Sequence, residues 1–148
     1  MTEVLFYHLE LQPLERVLPT LLEKTLERGW RAVVETSSRE RASAIDALLW
    51  TYRDDSFLPH GIAGDDTDPD QPVLIATDGQ NANAANVRFF VDRAVPQTAE
   101  GYERIVFMFS GHDPDAVTEA RVAWKGLQAG NTLTYWQQDE AGRWVKKA

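Results

Sequence analysis

The chain has 148 residues, 43% hydrophobic and 26% charged, with 15 Lys and Arg against 23 Asp and Glu. That length suits a single domain, residues 1–148, with a core that needs no disulfide or metal. The net charge of −8 excludes general affinity for nucleic-acid phosphate, and the lack of cysteine excludes a disulfide scaffold, a thiolate metal site and a Cys nucleophile.

The acidic start MTEVLFYHLE does not read as a signal peptide, and no apolar run approaches the roughly 20 residues of a membrane span, so a soluble cytoplasmic protein is expected. Val4 to Tyr7 reads as a strand. Leu14, Val17, Leu18, Leu21, Leu22 and Leu26 then recur at helical spacing over 14–27, and Gly29 supplies the stop. Trp30 to Glu35 reads as a second strand. Ser37 or Ser38 caps a helix from Arg39 to Trp50, with Ala42, Ile45, Leu48 and Leu49 on one face. This β-α-β-α opening predicts a parallel sheet covered by helices.

Residues 51–72, rich in Asp and Pro, read as a long connection. Val73 to Ala76 is a buried-type strand, Asp78 to Asn86 a polar loop, and Val87 to Val91 another strand. Ile105 to Phe109 (IVFMF) is the most apolar segment and reads as a central strand. Asp113-Pro114-Asp115 opens a helix that runs to about Ala129, ended by Gly130-Asn131. Thr132 to Trp136 is a last strand, and Gly142 turns the chain into an extension over 143–146. The fold class is therefore α/β: three layers, a mostly parallel sheet, helices on both faces.

Such a fold invites a test for phosphate binding. The turn after the first strand is His8-Leu9-Glu10-Leu11-Gln12-Pro13, without the glycines of G-x-G-x-x-G, and no G-x-x-x-x-G-K-[ST] occurs. The expectation is a Rossmann-like sheet without a nucleotide site. Asp66, Asp68 and Asp70 imitate the start of a Ca²⁺ loop, but Gln71 replaces its turn glycine and Thr77 its bidentate Glu, so a solvated acidic loop is the simpler reading. His112, beside Asp113 and Asp115 at the carboxyl end of a strand, suits a metal-assisted hydrolase. A helix-capping loop explains the same three residues without chemistry. No cofactor is expected.

The aromatic residues say more. Trp50, Tyr52 and Phe57 stand close to Leu58-Pro59-His60, either as core plugs, which composition favours, or as anchors of a partner surface. Arg121, Trp124 and Lys125 fall at i, i+3 and i+4 of the last helix, two cations flanking a large ring. Spacing alone favours a solvated cationic face with Trp124 turned inward. The sharper reading is a site for an acidic peptide, with carboxylates on Arg121 and Lys125 and an apolar side chain on Trp124.

Several of these segments together resemble the chi subunit of bacterial DNA polymerase III. They are Phe6-Tyr7, Gly29-Trp30, Asp46-Ala47-Leu48-Leu49-Trp50, Ser56-Phe57-Leu58-Pro59-His60, Arg121-x-x-Trp124-Lys125 and the ending from Thr134 to Lys147. The likeness spans essentially the whole chain, and LW-x(6)-F-x-PH is its most specific part. The resemblance implies a non-catalytic accessory subunit; the negative charge argues for little direct DNA binding, and the lack of a long apolar run for no membrane contact. The likeness implies association with the clamp-loader complex, in some bacteria through a psi-like subunit. It also implies binding of the acidic C-terminal tail of single-stranded-DNA-binding protein. By the same resemblance Arg121, Trp124 and Lys125 receive the tail, while Trp50 and Phe57 face the partner subunit. Relatives often carry another basic residue one turn earlier, where this chain has Val117.

The charge distribution fits that expectation. Residues 1–100 hold 9 basic and 17 acidic side chains, whereas residues 101–148 hold 6 of each. The excess acid thus lies away from the segment expected to meet an acidic tail.

Overall fold

The computed structural model describes residues 2–52, 58–64, 66, 68–77 and 81–148. The strands are β1 (Thr2–Leu9), β2 (Ala32–Glu35), β3 (Gly61–Ile62), β4 (Val73–Ala76), β5 (Val87–Phe90), β6 (Arg104–Ser110), β7 (Asn131–Gln138) and β8 (Trp144–Lys146). The helices are α1 (Leu14–Glu27), α2 (Arg39–Thr51) and α3 (Pro114–Leu127). Among the described residues the strands form one sheet in the order β3-β4-β2-β5-β6-β1-β7-β8. All pairings are parallel except β7 with β8.

Alternation along the strands divides the core. In β6, Val106 and Met108 point to one face, whereas Ile105, Phe107 and Phe109 point to the other. The first face packs under Leu18 and Leu22 of α1 and Ile45 and Leu49 of α2. The second packs under Ala116, Ala120, Ala123 and Leu127 of α3, whose small side chains let the helix approach Phe6 and Phe107 closely. Beyond α3, loop residues Ala63, Ala85 and Tyr102 cover Val33 and Leu74. The three-layer α/β expectation is met, and the IVFMF strand is central, between β5 and β1.

Local signals explain the helix ends. Ser38, rather than Ser37, caps α2, accepting from Arg41 N at 3.2 Å. Asp113 caps α3, accepting from the backbone of Asp115 and Ala116, with Pro114 in the first turn. Gly29 at φ +79° follows α1 and takes the left-handed position that ends a helix.

The departures lie at edges and ends. β1 runs from 2 to 9 because its polar ends pair as fully as its apolar middle. β2 starts at Ala32, leaving Trp30 outside the strand, where Arg28 stacks on its ring. The connection over 51–72 contains the two-residue strand β3 and a 3₁₀ turn at Asp68–Asp70. α3 ends at Leu127, two residues early, and the expected extension is an eighth strand.

Candidate protein-interaction sites

The strand order reverses between β1 and β6. α1 leaves β1 over one face, and α3 leaves β6 over the other, so a crevice opens at their carboxyl ends, where α/β folds hold ligands. A cavity of about 380 Å³ lies there. Glu10 and Pro13 line it where a nucleotide site presents glycines, and Pro13 at the start of α1 offers no backbone N–H to a phosphate.

The same crevice contains the residues of the hydrolase reading. His112 Nε2 lies 2.8 Å from the Glu10 carbonyl oxygen. Asp113 caps α3 and also pairs with Arg93 at 2.9 Å, and Arg93 is further tied to Glu119. Asp113 is thus committed to holding a helix end. Asp115 donates its backbone N–H to that cap. Among the described residues no three His, Cys, Asp or Glu are grouped as a metal site requires. Within the acidic loop, Asp68 accepts from Gly64 N at 2.8 Å, while Asp65 lies outside the described residues.

α3 and β7 carry the first candidate site. Arg121 and Lys125 are exposed, and among the described residues neither forms an ion pair. Trp124 between them is half-buried. Its ring meets Phe6 edge-on at 5.1 Å and Tyr135 at 6.1 Å, so one edge of the indole is fixed by the core and the rest remains available. The structure thus shows the arrangement that spacing favoured, cations outward and Trp124 turned inward, with part of the indole left at the surface. Val117 packs on the core cluster under α3, so no basic group stands one turn earlier.

Tyr135 is the residue of this site that helix spacing cannot reveal, because it reaches the site from the neighbouring strand. The signal is the aromatic pair Tyr135-Trp136 in β7, whose alternation sends Tyr135 to the α3 face. Burial raises its phenol pKa above the ordinary 10.0, while the nearby Arg121 lowers it and Glu10 raises it. The hydroxyl lies 2.6 Å from His8 Nδ1, and His8 Nε2 lies 3.0 Å from Glu10. A Cβ at Gly111 would collide with the His8 ring, so that glycine keeps the support in place.

The second site is the end of α2. Trp50 is 57% exposed, which corrects the core-plug expectation for this residue. Its ring lies 4.8 Å from that of His60. His60 is fully enclosed: Nδ1 donates to the Leu58 carbonyl at 2.6 Å, and Nε2 lies 3.1 Å from Asp46 Oδ1. Tyr52, by contrast, packs against the core and bonds Glu23 through its hydroxyl. Phe57 lies outside the described residues.

The family model for the DNA polymerase III chi subunit, HolC, matches residues 1–134. A probable DNA polymerase III subunit chi of Rickettsia prowazekii is 29% identical over 87 residues, 59% of this chain and 53% of that protein. The DNA polymerase III subunit chi of Haemophilus influenzae is 24% identical over 115 residues, 77% of this chain and 79% of that one. The match thus spans about half the length of the Rickettsia relative. No helix of the described residues is long and apolar enough to cross a membrane. A match over residues 1–134, on a mostly parallel sheet flanked by helices, places this chain in the DNA polymerase III chi subunit family.

Proposed function

We propose that this chain is a non-catalytic adaptor of the replicative polymerase, working in the cytoplasm as one domain over residues 1–148. It binds the acidic C-terminal tail of single-stranded-DNA-binding protein at Arg121, Trp124 and Lys125. Through Trp50 and Phe57 it joins the clamp loader, directly or by way of a psi-like subunit. The observation that carries the reading is the pair of exposed cations, without acidic partners among the described residues, on either side of a half-buried indole.

The energetics suit an acidic tail ending in an apolar residue. A charge-assisted hydrogen bond to a carboxylate contributes about 1.5–3 kcal/mol. An apolar side chain laid on Trp124 adds about 1–2 kcal/mol. Ordering the tail offsets part of this, so binding is moderate and weakens with salt. The overall charge of −8 discourages direct contact with DNA, leaving the local patch to select the protein that coats it.

Titration with a synthetic tail peptide tests the assignment. Arg121→Ala should weaken binding about tenfold, the loss of roughly one charge-assisted bond, without changing the thermal midpoint. Equal affinity of the variant and the native chain would refute the site.

A further inference from the structure

The helix layer on the α1 side of the sheet stops short. α1 and α2 lie over β2, β4, β5 and β6, and α3 occupies the opposite face. On the α1 side of β1, β7 and β8 stand Leu5, Tyr7, Thr134, Trp136 and Trp144; α1 borders Leu5 and Tyr7 across a cavity, and neither α1 nor α2 extends over β7 and β8. All five are only partly buried. Tyr7 meets Trp144 edge-on at 5.0 Å, and register places Tyr7 beside Trp136. The buried Trp136 indole N–H has no hydrogen-bond partner among the described residues.

Cations border this aromatic face. Between α1 and β1 a cavity of about 440 Å³ has Leu5, Phe89 and Val106 in its wall and Lys24, Arg28 and Arg104 at its rim. Trp30 holds two of these charges together: Arg28 Cζ is 4.1 Å from its ring centre and Arg104 Cζ 5.3 Å. Arg104 pairs with Glu3 at 2.6 Å, whereas Lys24 and Arg28 have no carboxylate partner among the described residues. Glu27 is the acid on the cavity rim. At the far border Lys146 stands opposite Trp136 on β8.

We propose that this face docks an acidic amphipathic helix of a partner protein. The axes of three neighbouring strands span about 10 Å, close to the width of one helix, so the incoming segment completes the missing part of the layer. Its apolar stripe covers Tyr7, Trp136 and Trp144, and one large side chain enters the cavity. Its acidic flanks meet Lys24 and Arg28. A second copy is a poor occupant, because symmetric pairing would set these cations against themselves. This surface lies on the opposite side of the sheet from Arg121 and Trp124, so the proposal stands independently of tail binding.

Site-specific photocrosslinking tests it. A benzoylphenylalanine replaces Thr134, or the more exposed Thr132 if the first variant does not fold, in the full chain expressed in its native host. The adduct should map to a partner segment with apolar residues at i, i+3 and i+4 and net negative charge. Lys24→Glu with Arg28→Glu should cut its yield at least tenfold while Tm is unchanged, and Arg121→Ala should leave the yield as it was. No adduct, an adduct on a second copy, or a segment lacking that pattern would overturn the proposal.

Discussion

Two tryptophans set the two candidate sites apart. Trp124 is recessed, held edge-on by Phe6 and flanked by two exposed cations. Trp50 protrudes at a helix end, resting on an enclosed His60 that lies beside Asp46. A recessed ring with a positive rim suits a flexible acidic chain, which supplies its own charge and one apolar side chain. A protruding ring suits insertion into a groove of a folded partner, where it acts as the anchor. The same residue type thus serves opposite geometries, and the two sites lie on opposite faces of the sheet, under α3 and at the end of α2. An adaptor needs such separation if both partners are to bind at once.

The comparison breaks first at its most buried support. Phe6→Ala removes the ring beneath Trp124 and should cost about 3–5 kcal/mol in denaturant unfolding, while loosening the tail platform and leaving the Trp50 site intact. His60→Ala removes the support of the other indole together with its bond to Leu58. Urea titration should show a smaller loss of about 2 kcal/mol, with tail affinity unchanged.

Alkaline titration separates the faces more gently. The folded chain raises the pKa values of Tyr7 and Tyr135 above 10.0, mainly by burial, so both favour the protonated phenol. Their contribution to stability is fully present below pH 10 and is lost as pH climbs from there through the raised values. In Arg121→Ala the Tyr135 phenol should titrate higher still, because its neighbouring positive charge is gone; Tyr7, facing Arg104, should not move. Ultraviolet absorbance of the tyrosinates reads both. Trp50→Ala should have the smallest effect on stability, within about 0.5 kcal/mol by thermal unfolding, yet abolish binding of the partner subunit.

Local patterning made much of this readable from sequence. α1, α2, β4 and β5 follow from periodicity and from Ser38 and Gly29, signals that act within a few residues. β3 did not, because Gly61-Ile62 becomes a strand only by pairing with β4, and a two-residue strand has no period. β8 depends in the same way on β7. On α3 the i, i+3, i+4 pattern set Arg121, Trp124 and Lys125 on one face, and only the family resemblance favoured a binding role for them. Phe6, Tyr135 and His8 were hidden, since they arrive from other strands and their meeting is a property of the sheet order. The opposite outcomes for Trp50 and Tyr52 show the limit of composition. Two aromatic residues two positions apart on a helix end point in different directions, one to solvent and one to the core.

The central claim is that an acidic tail lands on Trp124 and does not touch Trp50. The chain has five tryptophans, and their indole N–H signals can be followed one by one in an NMR titration with the tail peptide. The account predicts that the Trp124 signal moves with saturation, that the Trp50 signal stays, and that a peptide whose terminal carboxylate is amidated produces a much weaker response. A moving Trp50 signal with Trp124 unaffected would contradict it.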